Sequence, residues 1–193
     1  EAFWRGERWQ AEPREEAGGA GIRAAALPAS QRLSKFSFPA VKYGREFEEL
    51  CVDLFRAHWQ DPHTVLHGAA GQRQRGVDLY GRPKGETAYW GLQCKARVPW
   101  TDPKRLAREL QKEVEAARTF EPAPASYLIA TTLGRSTHLQ ELERQLDQGE
   151  LQRPGGFRVQ ILFWEDILDL LSSYPAVVRQ HFPEVGWRER GSP

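Results

Sequence analysis

The sequence predicts an α/β fold in which a mixed central β-sheet is flanked by helices. Residues 75–81 and 90–97 form two alternating arms around a break with Pro and Gly, which is typical of a β-hairpin. Apolar residues at the helical repeat predict helices over residues 42–59 and 101–119. A nearly continuous apolar run over residues 126–132 is typical of an interior strand, which would pair in parallel across the preceding helix.

The remaining elements continue this alternation of helices and strands. A short strand near residues 64–67 precedes the hairpin, and the later segments predict a helix, a strand and two short helices over residues 136–146, 157–163, 164–171 and 174–182. Residues 41–184 are therefore expected to form one α/β domain. Residues 1–40, rich in Gly, Ala and scattered Pro, are expected to be a flexible or loosely docked leader, and residues 185–193 a tail that leads to a further domain.

Composition places the chain in a broad class. Its 193 residues, with 40% hydrophobic and 27% charged residues, suit one globular domain with a sizeable core. The net charge of +1 means that any basic surface has to be local. No apolar run is long enough for a bilayer and no signal peptide is visible, so no membrane partner is expected. A chain that starts with Glu and lacks Met is expected to be a processed protein or a piece of a longer one.

The two cysteines, Cys51 and Cys94, fall on apolar faces and fit no metal-binding spacing. We expect free core thiols, which indicates a reducing, cytoplasmic location. The histidines also show no ligand spacing on any one element, which disfavours a histidine-based site: they are His58, His63, His67, His138 and His181.

The hairpin brings chemically active side chains together. The apolar positions of its arms are Val77, Leu79, Leu92 and Cys94. Because strand side chains alternate between faces, burial of these four gathers Asp78, Gln93 and Lys95 on one polar face. A carboxylate, an amide oxygen and an ammonium supply ligands for a hard cation and a positive charge beside a water. The alternative is a plain hairpin with a solvated polar face.

The first helix offers one further carboxylate. Its apolar stripe consists of Phe47, Leu50, Cys51, Leu54 and Phe55. Glu48 lies at the margin of this stripe, whereas Glu49 faces almost the opposite way, so Glu48 is the glutamate that can reach inward. The alternative interpretation is a boundary residue paired with a surface Arg.

Basic residues flank the hairpin on both sides. The loop over residues 68–76 carries Arg73 and Arg75, and the start of the second long helix carries Lys104 and Arg105. We predict that these four side chains contact phosphates on the open side of the site. An ordinary mobile loop is the alternative for residues 68–76. Glu113 lies inside the apolar stripe of the same helix, which leaves two interpretations, a partner of the site or a salt bridge to a core-facing Arg.

Three motifs, in this order, resemble those of the PD-(D/E)xK nuclease superfamily: Phe47-Glu48, Gly76-Val77-Asp78 and Gln93-Cys94-Lys95. The resemblance covers residues 43–132 and points to the Mrr-like branch, in which Gln replaces the acidic residue. It implies a restriction-endonuclease-like three-layer core with Asp78, Gln93, Lys95 and Glu48 as catalytic residues. It also implies Mg²⁺, with Mn²⁺ as a substitute, bound by Asp78, Gln93, Glu48 and the main-chain carbonyl of Cys94.

The resemblance implies a magnesium-dependent endonuclease domain that hydrolyses phosphodiester bonds in DNA. The expected substrate is double-stranded DNA, the expected context a bacterial restriction or antiviral defence protein, and the expected active form a homo-oligomer. Cleavage of RNA instead of DNA stays open. The neutral Gln93 keeps a second function open, a catalytically inactive nucleic-acid-binding or assembly module on the same fold. A third is an adaptor surface built from Trp90 and Trp100.

Overall fold

The computed structural model describes residues 44–68, 74–98 and 101–185. Its helices and strands follow the predicted order. They are α1 (Gly44–His58), β1 (Val65–Leu66), β2 (Leu79–Gly81), β3 (Trp90–Lys95), α2 (Pro103–Ala117), β4 (Ser126–Thr131), α3 (Thr137–Leu151), β5 (Arg158–Leu162), α4 (Trp164–Leu171) and α5 (Pro175–His181).

Within these residues the strands form one five-stranded sheet in the order β1-β2-β3-β4-β5. The pairs β1–β2 and β2–β3 are antiparallel, whereas β3–β4 and β4–β5 are parallel. The direction changes at β3 because a short turn connects β2 to β3, while the helices α2 and α3 connect the later strands. The predicted α/β fold with a mixed sheet flanked by helices is confirmed.

Helices cover both faces of the sheet. One apolar cluster lies between the sheet and α1, α4 and α5, and it includes Leu92 and Cys94 of β3. The second cluster lies between the sheet and α2 and α3, and it includes Tyr127 of β4. By strand alternation, Gln93 and Lys95 of β3 face the second layer. The side chains of β3 therefore lie alternately in the α1 layer and in the α2–α3 layer.

The hairpin's first arm differs from the prediction. Regular pairing starts only at Leu79, and Val77 lies in the α2–α3 cluster whereas Leu79 lies in the α1 cluster. The prediction that both residues share one face is therefore wrong. The physical reason is a turn just before them, in which Arg75 and Gly76 have φ values of 52° and 72°. This turn rotates Val77 out of the strand alternation.

Two other predictions about secondary structure have clear outcomes. The helix predicted to end at residue 146 continues to Leu151. Asp102 caps α2 by accepting a hydrogen bond from the main-chain nitrogen of Lys104, as the predicted helix start required. Cys51 and Cys94 are buried free thiols, as predicted.

Several predictions fall on residues that the structure does not describe. They concern the leader over residues 1–40, Arg73, Trp100, and the tail beyond residue 185. Among the described helices, none combines the length and the apolar character needed to cross a membrane.

Gly76 is expected to tolerate no side chain. Its φ is 72°, and a Cβ would lie 2.6 Å from the carbonyl oxygen of Glu113 in α2. We predict that Gly76→Ala lowers the free energy of unfolding, measured by urea denaturation, through both strain and this contact. Gly85→Ala is the matched control, because Gly85 also has a positive φ (91°) but no atom within 4 Å of the added Cβ. Backbone strain alone costs ~1–2 kcal/mol.

The excess destabilisation of Gly76→Ala over Gly85→Ala should be a further ~1–3 kcal/mol, the usual cost of overpacking. Equal losses in the two variants would contradict the close approach of this turn to α2.

Candidate active site

Asp78 connects the turn before β2 to the neighbouring strand. Its main-chain nitrogen donates to the Leu92 carbonyl at 2.9 Å, and its carboxylate oxygen Oδ2 accepts from the Cys94 main-chain nitrogen at 2.7 Å. The same oxygen accepts a hydrogen bond from the Gln93 side-chain nitrogen. Asp78 is only 3% exposed. The first residue of the predicted set is therefore a buried Asp whose carboxylate accepts two hydrogen bonds from β3.

Gln93 is buried beside Asp78, which immediately precedes β2. Because the Gln93 nitrogen donates to Asp78, its amide oxygen is the atom that can act as a further ligand. The structure thus brings Asp78 and Gln93 into direct contact. Their polar face is buried rather than solvated.

Lys95 faces α2 from the end of β3. Its Nζ atom lies 2.6 Å from Oε1 of Glu113 and 3.7 Å from Oε1 of Glu109, and the residue is 9% exposed. Glu113 therefore pairs with Lys95 of the predicted site and not with a core-facing Arg. Glu109, which also pairs with Arg97, was missed by the sequence reasoning. Its signal was the four-residue spacing from Glu113, which places both carboxylates on one side of α2.

Glu48 lies on α1 with a side chain that is 23% exposed. After burial, which is the larger cause, its negative charge contributes to raising the pKa of Asp78. Glu48 also lies 3.8 Å from the exposed Arg45. The pairing of Glu48 with a surface Arg is therefore observed, and its reach toward the hairpin stays a prediction. Glu49 instead forms a 2.9 Å ion pair with Arg45 on the exposed side.

The environment of Asp78 favours its neutral form. Burial raises the pKa of Asp78 to about 6, and the charge of Glu48 acts in the same direction. The main-chain nitrogen of Cys94, the charge of Lys95 and the Gln93 amide lower this pKa, but burial outweighs them.

The main chain of Cys94 faces the same side as Asp78. In a strand, the N–H and C=O of one residue point the same way, so the Cys94 carbonyl lies on the Asp78 side of β3. The thiol belongs to the α1 layer, where burial and Cys51 raise the pKa of Cys94. The thiol stays neutral, which leaves the carbonyl oxygen as the donor that Cys94 can offer.

The donor set fits a hard cation. Within residues 44–68, 74–98 and 101–185, no three His, Cys, Asp or Glu side chains are arranged to hold a metal. The candidate donors are instead two carboxylates, one amide oxygen and one main-chain oxygen, from Asp78, Glu48, Gln93 and Cys94. Mg²⁺ binds in this manner, with few protein oxygens and with water and substrate phosphate as the other ligands.

The predicted phosphate-contacting residues do not form one surface. Arg75 donates to the Thr119 carbonyl at 2.8 Å, just beyond the C-terminal end of α2. Lys104 and Arg105 lie in the first turn of the same 15-residue helix, about 20 Å away at 1.5 Å per residue. The structure therefore keeps Arg75 apart from Lys104 and Arg105, and Arg73 lies outside the described residues.

Two comparisons with known proteins were without a match. No protein-family model matches the chain, and no curated protein sequence matches it either. The fold and the site define an α/β protein with a mixed sheet and a buried Asp–Gln–Lys constellation. The resemblance to PD-(D/E)xK nucleases therefore depends on the three motifs and stays a prediction.

The raised pKa of Asp78 predicts a pH-dependent stability. Because the folded-state pKa of about 6 exceeds the ordinary value of 3.8, the contribution of Asp78 to stability is fully present below about pH 4 and is lost as the pH rises through 6. The total loss is of the order of 3 kcal/mol. We expect Asp78→Asn to abolish this loss. Urea denaturation of both proteins between pH 4 and 8 measures it, and parallel pH curves would contradict the assignment.

The influence of Glu48 can be measured directly by NMR titration of the Asp78 carboxyl carbon. Glu48→Gln removes a charge that raises the pKa of Asp78, so the titration midpoint should fall. Glu49→Gln is the matched control on the exposed side of α1 and should leave the midpoint unchanged. Equal effects of the two substitutions would place Glu48 outside the site.

Proposed function

We propose that this domain is a metal-dependent nuclease that hydrolyses phosphodiester bonds in DNA. The observation that carries the proposal is the buried contact between Asp78 and Gln93, with Lys95 two residues further along the same strand. Burial of a carboxylate and an ammonium costs free energy. The fold does not need these buried charges for its stability, because two apolar clusters stabilise it. Such groups are typical of functional sites.

The position of this constellation in the sheet supports the same conclusion. Lys95 is the last residue of β3, and its carbonyl accepts a hydrogen bond from Thr131 at the end of β4. Ligands of open α/β sheets commonly bind at the carboxyl ends of parallel strands. Asp78 reaches this edge from the antiparallel side, so the two halves of the mixed sheet contribute to one site.

The roles of the residues follow from their chemistry. Asp78, Gln93, Glu48 and the Cys94 carbonyl would hold Mg²⁺, or Mn²⁺ in its place. Bound Mg²⁺ would neutralise charge on the scissile phosphate and make a water a stronger nucleophile. Lys95 would donate to that water or to a phosphate oxygen and stabilise the charge that develops during the reaction. Glu113 holds the ammonium group of Lys95 in position at 2.6 Å.

The wider biological role belongs to this proposal too. A restriction or antiviral defence protein acting on double-stranded DNA in the bacterial cytoplasm would use such a domain as its effector. Cleavage of both strands needs two active sites, which favours a homo-oligomer.

The second candidate function is a binding module without catalysis. It is favoured by the neutral Gln93, which binds cations more weakly than a carboxylate, and by the ion pairs that engage Lys95. The adaptor surface is less well supported, because Trp90 is only partly exposed and packs against Trp59 with ring centroids 6.2 Å apart. Trp100 lies outside the described residues.

Substitution of Lys95 separates the two functions. We expect Lys95→Ala to reduce cleavage of plasmid DNA in Mg²⁺ by ~10²–10³-fold, the usual cost of one well-placed electrostatic group. DNA binding should stay within a few fold, because one contact among several is lost. Lys84→Ala, on the exposed hairpin turn, is the control and should cleave like the wild type.

Asp78→Asn should also stop cleavage, with a loss of Mg²⁺ binding that calorimetry can measure directly. A wild-type domain that binds DNA, takes up no Mg²⁺ and cuts nothing would establish the binding module instead.

Glu113 is expected to act as a positioning residue for Lys95. Glu113→Gln should lower kcat by ~10–100-fold with KM unchanged, the range typical of residues that orient a ligand or catalytic group. Glu115→Gln, on the exposed side of α2, is the matched control. Glu113→Asp should recover part of the activity, whereas a purely structural role would lower the melting temperature without changing kcat.

A further inference from the structure

An open groove of about 900 Å³ lies beside the candidate active site. It is lined by residues 97 and 98, by residues 101 and 102, and by one face of α2 as far as Lys112. Four of its eight lining residues are cationic and two are acidic: the lining consists of Arg97, Val98, Thr101, Asp102, Arg105, Arg108, Glu109 and Lys112. This groove is therefore locally basic on a chain whose net charge is only +1.

The acidic groups of the groove already have partners. Asp102 accepts from the Lys104 main-chain nitrogen at 3.0 Å, and Glu109 pairs with Arg97. Among the described residues, Arg105, Arg108 and Lys112 form no ion pair with any carboxylate. The positive charge of these three side chains is consequently available to an external anion.

The three cations lie in a row on one face of α2. Their spacing of three and four residues places Arg105, Arg108 and Lys112 on one side of the helix, opposite the buried Leu106 and Leu110. All three are exposed. The row is about 10 Å long at 1.5 Å per residue. One strand of B-DNA presents about three phosphates over that length, at 3.4 Å each.

The groove is connected to the site through Glu109. This residue lines the groove, pairs with Arg97 at its rim, and lies 3.7 Å from the ammonium group of Lys95. We propose that this groove binds the sugar–phosphate backbone of a DNA strand, with Arg105, Arg108 and Lys112 as the phosphate contacts. The inference rests on the proposed function and adds the place where the substrate backbone lies. It also replaces Arg75 as a member of the phosphate-binding surface.

The test is DNA binding in EDTA, where no cleavage can occur. Fluorescence anisotropy of a labelled DNA duplex is measured over a series of salt concentrations for the wild type and for the triple variant Arg105→Ala/Arg108→Ala/Lys112→Ala. The control triple variant, Lys84→Ala/Arg144→Ala/Arg153→Ala, removes the same charge from exposed residues elsewhere. Circular dichroism confirms that both are folded.

Each phosphate contact contributes about 0.9 to the slope of log affinity against log salt, so the groove variant should lose roughly 2–3 from this slope. We expect its affinity at low salt to fall at least ~10-fold, with the control variant near the wild type. Lys112→Ala alone should reduce the slope by about one third of the reduction seen in the triple variant. A single strand and an RNA duplex of equal length identify which backbone is preferred.

Different outcomes overturn different proposals. If the groove variant binds DNA like the wild type, the groove is not the binding surface and this proposal is overturned, even if the protein cleaves plasmid DNA. If DNA binding depends on the groove but the domain cleaves nothing in Mg²⁺, the groove proposal stands and the proposal of a nuclease is overturned. If the wild-type domain binds no nucleic acid, the inference is overturned. If it binds labelled poly-glutamate as tightly as DNA, the inference is also overturned, and the groove fits an acidic protein partner instead.

Discussion

The hydrogen bond from the Cys94 main chain to the Asp78 carboxylate is the interaction on which the site depends. Main-chain pairing between β2 and β3 ends near Leu79 and Leu92, and the next donor on β3 is the Cys94 nitrogen. Asp78 supplies a side-chain acceptor where the strand no longer supplies a main-chain one. An unpaired buried donor would cost ~1–3 kcal/mol. The same carboxylate orients Gln93, so one side chain finishes the sheet and organises the candidate ligands.

The turn that presents Asp78 is held from the other layer of the protein. Gly76 lies directly against the α2 backbone at Glu113, and its carbonyl accepts a hydrogen bond from the Tyr127 hydroxyl. Because α2 is fixed against the turn at this point, Glu113 is also held at the level of Lys95. Packing between two main chains thus sets the positions of both halves of the site. Substitutions of Asp78 will consequently affect folding and chemistry together, and metal binding is the measurement that separates them.

The features that local sequence patterns determine could be predicted from the sequence. Helical periodicity, the Pro/Gly turn and strand alternation were enough for the element order and the mixed sheet. Strand alternation also put Gln93 and Lys95 on one face of β3, whereas Asp78 meets Gln93 from the turn before β2. The reversal of Val77 could not be predicted, because Arg75 is a non-glycine residue with a positive φ that tertiary contacts impose. The partner of Glu113 was equally undecided, since Lys95 is distant in sequence and meets it only through the packing of α2. Arg75 was grouped with Arg105 because both flank the hairpin in sequence, whereas α2 separates them in space.

Electrostatics connects the site with the groove. Between β3 and α2, Glu109 and Glu113 pair with Lys95, and Glu109 also pairs with Arg97. Asp78 lies buried beside β3, and no hydrogen bond or ion pair among the described residues joins its carboxylate to a cation. Burial raises the pKa of Asp78 and the charge of Glu48 adds to this effect, whereas the adjoining groove has more cationic than acidic side chains. The groove would attract a sugar–phosphate backbone, whereas the carboxylates of the candidate active site would repel it unless a cation neutralised them. A basic surface alone would account for binding, whereas the proposed chemistry at Asp78 and Lys95 would use a divalent metal together with the substrate.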